Sequence, residues 1–282
     1  MKVDQFMETS LTIKSTEIQE WRQEVCGIQS VCISPHWHEQ MEILYIVQGE
    51  MDLKIGEDAF RGVPGTAVII NPRQIHSGIC ATNELVYDVV QLSIEPLLSN
   101  SSVSEQYIEP LLNEKVRFFT KPTNPEAIEA ILQWIQCLRS KPHPLEAVGQ
   151  TYLTLSKLYR LCAVEQGIFY TPNYKFRQVL DYIDTHYTDP LSAHFISQLF
   201  SYNESYFCRH FKQLTGLTLS AYVRILRMEK AQRLLLQTDI PITQVAHQCG
   251  YSDANYFCLC VRKHFLLSPS ELREKMLEQR AK

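Results

Sequence analysis

Asn203-Glu204-Ser205-Tyr206-Phe207-Cys208 recurs fifty positions later as Asp253-Ala254-Asn255-Tyr256-Phe257-Cys258. The likeness continues: Phe211-Lys212 matches Val261-Arg262, and Leu217-Thr218 matches Leu267-Ser268. Repetition over such a span marks one supersecondary unit used twice. Each copy opens on a good helix cap, Asn203 or Asp253, whose side-chain oxygen can accept from a free backbone N–H. Each then sets apolar residues one helical turn apart, Phe207 with Phe211 and Phe257 with Val261, and leaves small and polar residues opposite. The tyrosine and phenylalanine of both copies, Tyr206, Phe207, Tyr256 and Phe257, are expected in the core.

Working outward, a short helix is expected before each copy. Ahead of the second it covers residues 242–248, with Val245-Ala246 inside and Gly250 placed as the left-handed residue that ends it. Ahead of the first it covers residues 192–200, with Ile196-Ser197 in the matching place and Ser201 where the other unit has glycine. Helix, tight turn and capped helix together make a helix-turn-helix. A long helix over residues 219–236 joins the two units, its buried side carrying Tyr222, Val223, Leu226, Ala231, Leu234 and Leu235. An earlier amphipathic stretch carries Phe176, Val179, Leu180 and Ile183. A single helix fits the DNA major groove, and its N-terminal residues face base edges. Two such helices could enter successive grooves about 34 Å apart. Lys212, Arg227, Arg262 and Lys263 are expected to hold phosphates.

The chain has 282 residues and a net charge of −4, which favours two domains and at first sight argues against a nucleic-acid partner. The average hides a split. Residues 173–282 carry 14 basic and 10 acidic side chains, a net of +4, and the rest carries −8. No apolar run approaches the roughly 18 residues of a membrane span. Residues 1–10 lack the basic-then-apolar order of a secretory signal. Nine scattered cysteines, an odd number, include Cys258 and Cys260 one residue apart. That is no zinc-ligand spacing, so reduced thiols and a cytoplasmic setting are expected.

The first third reads as β-structure. Met-Glu-Ile-Leu-Tyr-Ile-Val at 41–47 is followed past Gly49 by alternation through Met51, Leu53 and Ile55, then by short apolar runs at 67–70 and 85–94. Short strands separated by Gly and Pro suggest a sandwich or small barrel. After about residue 105 the period becomes helical. Asn124-Pro125-Glu126 starts one helix, Lys141-Pro142-His143-Pro144 breaks it, and a second carries Val148, Tyr152, Leu155, Leu158 and Tyr159. Their apolar faces could pack on the sheet, on a second subunit, or on both. The expected plan is therefore α+β: a β domain over 1–105, a helical dimerisation and linker region over 106–172 with the linker itself at 167–173, and an all-α DNA-binding domain over 173–282.

Residues 176–275 resemble the AraC/XylS family of transcription regulators. The matching features are Tyr206-Phe207, Arg209, Phe211-Lys212 and Gly216, then Arg227, Ala231 and Leu234-Leu235. After these come Ile242, Val245-Ala246, Gly250-Tyr251-Ser252-Asp253, Tyr256-Phe257, Phe265, Ser268-Pro269 and Arg273. The resemblance implies sequence-specific binding of double-stranded DNA and no enzymatic activity. It places base contacts on Glu204, Ser205, Cys208 and Arg209, and on Ala254, Asn255, Cys258 and Leu259. Arg209 can pair bidentately with guanine, and Asn255 with adenine. Leu259 stands where arginine is common in the family, and Leu266 where glycine is common. The second unit is therefore expected to contribute more apolar or phosphate contact than direct base reading.

His36-Trp37-His38-Glu39-Gln40-Met41-Glu42, then Gly49, has the spacing of a cupin's first motif, and His76 follows Pro72 near the second-motif histidine. The region resembles the cupin sensor domains of the same regulator family, so the β domain is expected to be a cupin-like barrel. The second motif departs from the pattern, with Gln74 in place of glycine. Positions 36 and 38 of a strand point the same way, and Glu42 with His76 would complete a set of three histidines and one carboxylate. These four residues line an effector pocket, pack structurally, or hold a metal; of these the effector reading is preferred, with no resident cofactor. Trp37, Tyr45 and Tyr87 are expected either as aromatic walls of that pocket or as core. The whole reads as an effector-controlled transcription factor, an activator or repressor, homodimeric, meeting RNA polymerase if it activates. The alternative is a metal-dependent cupin enzyme with a helical appendage.

Overall fold

The computed structural model describes residues 18–28, 30–98, 101–165, 174–265 and 267–280. The expectations for residues 1–10, for the linker at 167–173 and for Leu266 lie outside these. The chain divides into two compact units, Met1–Pro172 and Asn173–Lys282.

The first unit is built on two four-stranded antiparallel sheets. One runs in the order β1 (Ile18–Cys26), β8 (Glu84–Leu92), β3 (Met41–Gln48), β6 (Ala67–Ile70). The other runs β2 (Val31–His36), β7 (His76–Cys80), β4 (Met51–Ile55), β5 (Asp58–Gly62). No ladder closes them into a ring among the described strands, so the expected barrel takes the form of a cupin-like sandwich. Strand alternation sorts the apolar residues into two cores. Leu44 and Ile46 of β3 meet Met51, Leu53 and Ile55 between the sheets. Met41 and Ile43 of the same strand face α2 (Pro125–Arg139) and α3 (Pro144–Cys162) in a second core. Burial on both faces is why β3 reads as an unbroken apolar run.

Asn124 caps α2 by accepting from the Glu126 N–H at 2.9 Å. Trp134, fully buried, donates its indole N–H to Thr151 Oγ1 at 3.0 Å and so fixes α2 on α3. The short α1 (Glu109–Leu112) and the ribbon of β9 (Val116–Phe118) with β10 (Ala163–Glu165) complete the layer. Two buried carboxylates, Glu20 and Asp88, face it; Arg22 lies 2.7 Å from Asp88, and Arg139 of α2 pairs with both acids.

The second unit is all helical: α4 (Tyr174–Thr185), α5 (Ala193–Leu199), α6 (Glu204–Thr215), α7 (Leu219–Gln237), α8 (Ile242–Gln248), α9 (Ala254–Phe265) and α10 (Pro269–Arg280). Helices α5–α6 and α8–α9 are the two expected helix-turn-helices, and α7 joins them. Asn203 accepts from the Tyr206 N–H at 3.1 Å, and Asp253 from the Asn255 N–H at 2.8 Å. Both first helices end alike. The Tyr202 N–H reaches back to Ser197 O and the Tyr251 N–H to Ala246 O. The intervening residue is left-handed in each case, Ser201 at φ 55° and Gly250 at φ 79°. Ser197 and Ala246 are buried where the helices cross.

Candidate DNA-reading and ligand sites

In α6 the buried stripe is Phe207, Phe211, Leu214 and Thr215. Phe176 of α4 stacks on Phe207, the ring centroids 5.9 Å apart. The opposite face exposes Glu204, Ser205, Cys208, Arg209 and Lys212. Their spacing of one, four, five and eight residues puts all five on one side of the helix. In α9 the buried pair is Phe257 and Val261. Ala254 and Cys258 are half-buried at the edge of the core, and Asn255, Leu259, Arg262 and Lys263 are exposed. Leu259, 66% exposed, is a large apolar side chain on an otherwise polar face.

Two expectations need correction. Tyr206 and Tyr256 are 43% and 58% exposed, not core. Each precedes the buried phenylalanine by one residue, and about 100° of helical rotation carries it off the stripe. Tyr206 stacks instead on His210. Arg227 is not a free phosphate contact. Its guanidinium donates to Tyr187 O at 2.7 Å and Asp189 O at 3.0 Å, and lies over the Tyr251 ring. It holds α7 to the loop after α4. The Glu204 carboxylate lies 3.0 Å from His194 Nδ1 of α5, an exposed pair between α6 and the helix before it.

In the first unit, the structure gathers the cupin-motif residues on the inner faces of the two sheets. His36 pairs with His76 across β2 and β7, and His38 lies just beyond β2. The three rings have centroid separations of 4.2 to 5.4 Å. Glu42, from the other sheet, sets Oε2 3.1 Å from His38 Nε2 and Oε1 3.8 Å from His76 Nε2. Burial lowers the His36 pKa, and lowers that of His76 to about 3. Burial would raise Glu42, but the His38 hydrogen bond and the potentials of His76, His38 and His36 outweigh it and hold the carboxyl at about 2. An ionised carboxylate thus lies beside His36 and His76, two imidazoles that burial disposes against protonation.

Gln74, the departure from the cupin pattern, has a structural task. Its carbonyl lies 2.8 Å from His76 Nδ1, and its side chain accepts from the Asn71 N–H. Gln91 of β8 joins the site unannounced by any motif, donating to Glu42 Oε2 at 2.7 Å. Its signal in the sequence was a polar residue in register with inward-facing Leu85, Tyr87 and Val89.

Tyr45 does not face the histidines. It differs from Glu42 by an odd number of residues, so it leaves the opposite side of β3 and packs with the helices. Tyr87 shares the inner face but is buried in the inter-sheet core, donating to Cys32 O at 3.2 Å. Trp37 is half-buried between the two histidines in sequence.

The profile of the AraC-like ligand binding domain matches residues 17–170, more than half of the chain, and that of a helix-turn-helix domain matches residues 196–275. The chain belongs to the AraC family. This AraC-family chain is 30% identical over 135 residues to the HTH-type transcriptional activator RhaS of an Enterobacter species, covering 48% of each. It is 35% identical over 104 residues to the HTH-type transcriptional regulator YijO of Escherichia coli, covering 37% of each. It therefore spans about half, or less, of the length of these relatives. Among solved structures, ToxT from Vibrio cholerae, bound to a methylnaphthalenyl butenoic acid, aligns over 92% of this chain and 99% of its own at 12% identity, with a TM-score of 0.48. Among the described residues, no helix of the AraC-family chain is long and apolar enough to cross a membrane.

Proposed function

We propose that this AraC-family chain is a sequence-specific, double-stranded-DNA-binding transcription regulator controlled by a small-molecule effector in its first unit. The observation that carries the reading is the pair of capped helices, α6 and α9, each burying one stripe and exposing another at groove-reading spacing. Arg209 and Asn255 read bases, Lys212, Arg262 and Lys263 hold phosphates, and Leu259 supplies an apolar contact of the kind a thymine methyl accepts. The effector sits against His36, His38, Glu42 and His76 with Trp37 at the edge. It controls DNA occupancy only if it binds the two arrangements of the chain unequally. The protein acts in the cytoplasm as a homodimer, and contacts RNA polymerase if it activates. Its family consists of transcription regulators, so the cupin-enzyme alternative is set aside.

A mobility-shift series with the full chain on its own promoter region tests this. Sequence preference and an affinity that falls steeply with salt are expected, because phosphate contacts release counterions. Binding with neither property would sink the reading.

A further inference from the structure

We propose that Gln74 and Asn71 are positioning residues that carry the state of the effector site to the β9–β10 ribbon, through one buried line of hydrogen bonds from His76 to Phe118. This deepens the effector reading above and rests on it.

The line can be followed atom by atom. His76 Nδ1 lies 2.8 Å from Gln74 O; a carbonyl only accepts, so the ring donates there and turns Nε2 toward Glu42, 3.8 Å away. The Gln74 side chain leaves on the other side. Its Oε1 accepts from the Asn71 backbone N–H at 2.9 Å and from Asn71 Nδ2 at 3.2 Å. Asn71 then pairs with Phe118 of β9 as a strand residue would, donating from Nδ2 to Phe118 O at 2.9 Å and accepting the Phe118 N–H at 2.7 Å. Phe118 in turn pairs with Ala163 of β10. His76, Asn71 and Phe118 are each no more than 2% exposed, so water cannot stand in for a broken link. A second histidine is tied to the same loop, since the Arg73 N–H donates to His38 O at 2.7 Å.

Coupling needs an element with two arrangements that both ends can bias. The ribbon has that character. It is two strands of three residues, and a lone two-stranded ribbon is marginal in water. Asn71 holds one of its strands by both polar groups of a single residue. Its other strand follows α3 directly, and Glu165 is the last described residue of the first unit. The ribbon thus fixes the point from which the chain runs on to the helical unit. Glycine, which the cupin pattern has at position 74, would keep the carbonyl on His76 and lose the acceptor on Asn71. The line is therefore a property of this chain's glutamine.

The experiment is a double-mutant cycle on the full chain without DNA, read by amide hydrogen exchange, with folding checked by circular dichroism. Glu42→Gln perturbs the site by removing the charge that faces His76. Gln74→Met keeps the side-chain length and removes the acceptor, and Gln74→Ala serves if that variant does not fold. Glu42→Gln is expected to shift exchange at Val116–Phe118 and Ala163–Glu165 about tenfold with Gln74 present, and less than about twofold with Met there. Amides of β4, which pairs with β7 beside His76, should respond alike in both backgrounds. A line that only packs would give independent, additive effects. Equal shifts of the ribbon in both backgrounds would overturn the proposal, as would a ribbon that Glu42→Gln leaves unaltered. Promoter binding is measured apart: a wild-type chain without sequence preference sinks the functional reading, whereas the exchange cycle judges the relay by itself.

Discussion

A Cβ added to Gly250 would lie 2.6 Å from Thr188 Cα and 2.7 Å from its carbonyl oxygen. The turn of the second helix-turn-helix is thus packed against the backbone of the loop that follows α4. Arg227 grips that same loop through Tyr187 O and Asp189 O. One loop therefore joins the beginning of the helical unit to its second helix-turn-helix.

Gly250→Ala is expected to destabilise this unit by about 2 kcal/mol or more, because the left-handed backbone and the collision with Thr188 both oppose a side chain. The first unit offers the control. Ser201, at φ 55°, already holds the equivalent conformation with a side chain, so Ser201→Gly should be near neutral. Denaturant melts of the two variants measure the difference; equal effects would show that the loop contact contributes nothing.

Arg227→Ala removes two charge-assisted hydrogen bonds to carbonyls and is expected to cost about 2 kcal/mol of stability. DNA affinity should fall by a similar factor on every sequence, with the dependence on salt unchanged. Lys212→Ala, Arg262→Ala and Lys263→Ala should each leave the fold intact and lower the salt slope by about one. Titrations at several salt concentrations separate the two classes. A reduced slope in Arg227→Ala would return that residue to the phosphate contacts.

Arg209→Ala is expected to cost about 1–3 kcal/mol at one base pair and to relax discrimination there. No single change in α9 should cost as much specificity, since Leu259 stands at the position equivalent to Arg209. A base-substitution scan with each variant checks the division, and equal or larger losses in α9 would reverse it.

Arg139→Met strands Glu20 and takes one of two arginines from Asp88, both acids being about 3% exposed. Burial already raises the pKa of Glu20 despite the Arg139 charge. Removing one partner of a buried ionic group costs about 3–5 kcal/mol. Asp88 keeps Arg22, so the lower end of that range is expected, read from denaturant unfolding of the purified chain.

The sequence by itself determined the repeat, its caps, the helix starts at Asn124 and Asn203, the apolar run of β3 and the grouping of His36, His38, Glu42 and His76. All of these follow from local rules: a period of 3.6 or 2, a capping side chain, or a short motif. What lay beyond them depends on partners far along the chain. Strand β1 went unread because Glu20 looks solvent-facing until Arg139 is brought to it. Tyr45 reads equally as pocket wall or as core, because an aromatic residue beside a motif looks like part of it, and only the pleat of β3 decides for the core. Gln91 entered the site through its cross-strand pairing with Glu42, 49 positions earlier. Arg227 and Gly250 owe their roles to a loop near residue 188. Local preference decides which elements form, and register and packing between distant segments decide which side chains meet.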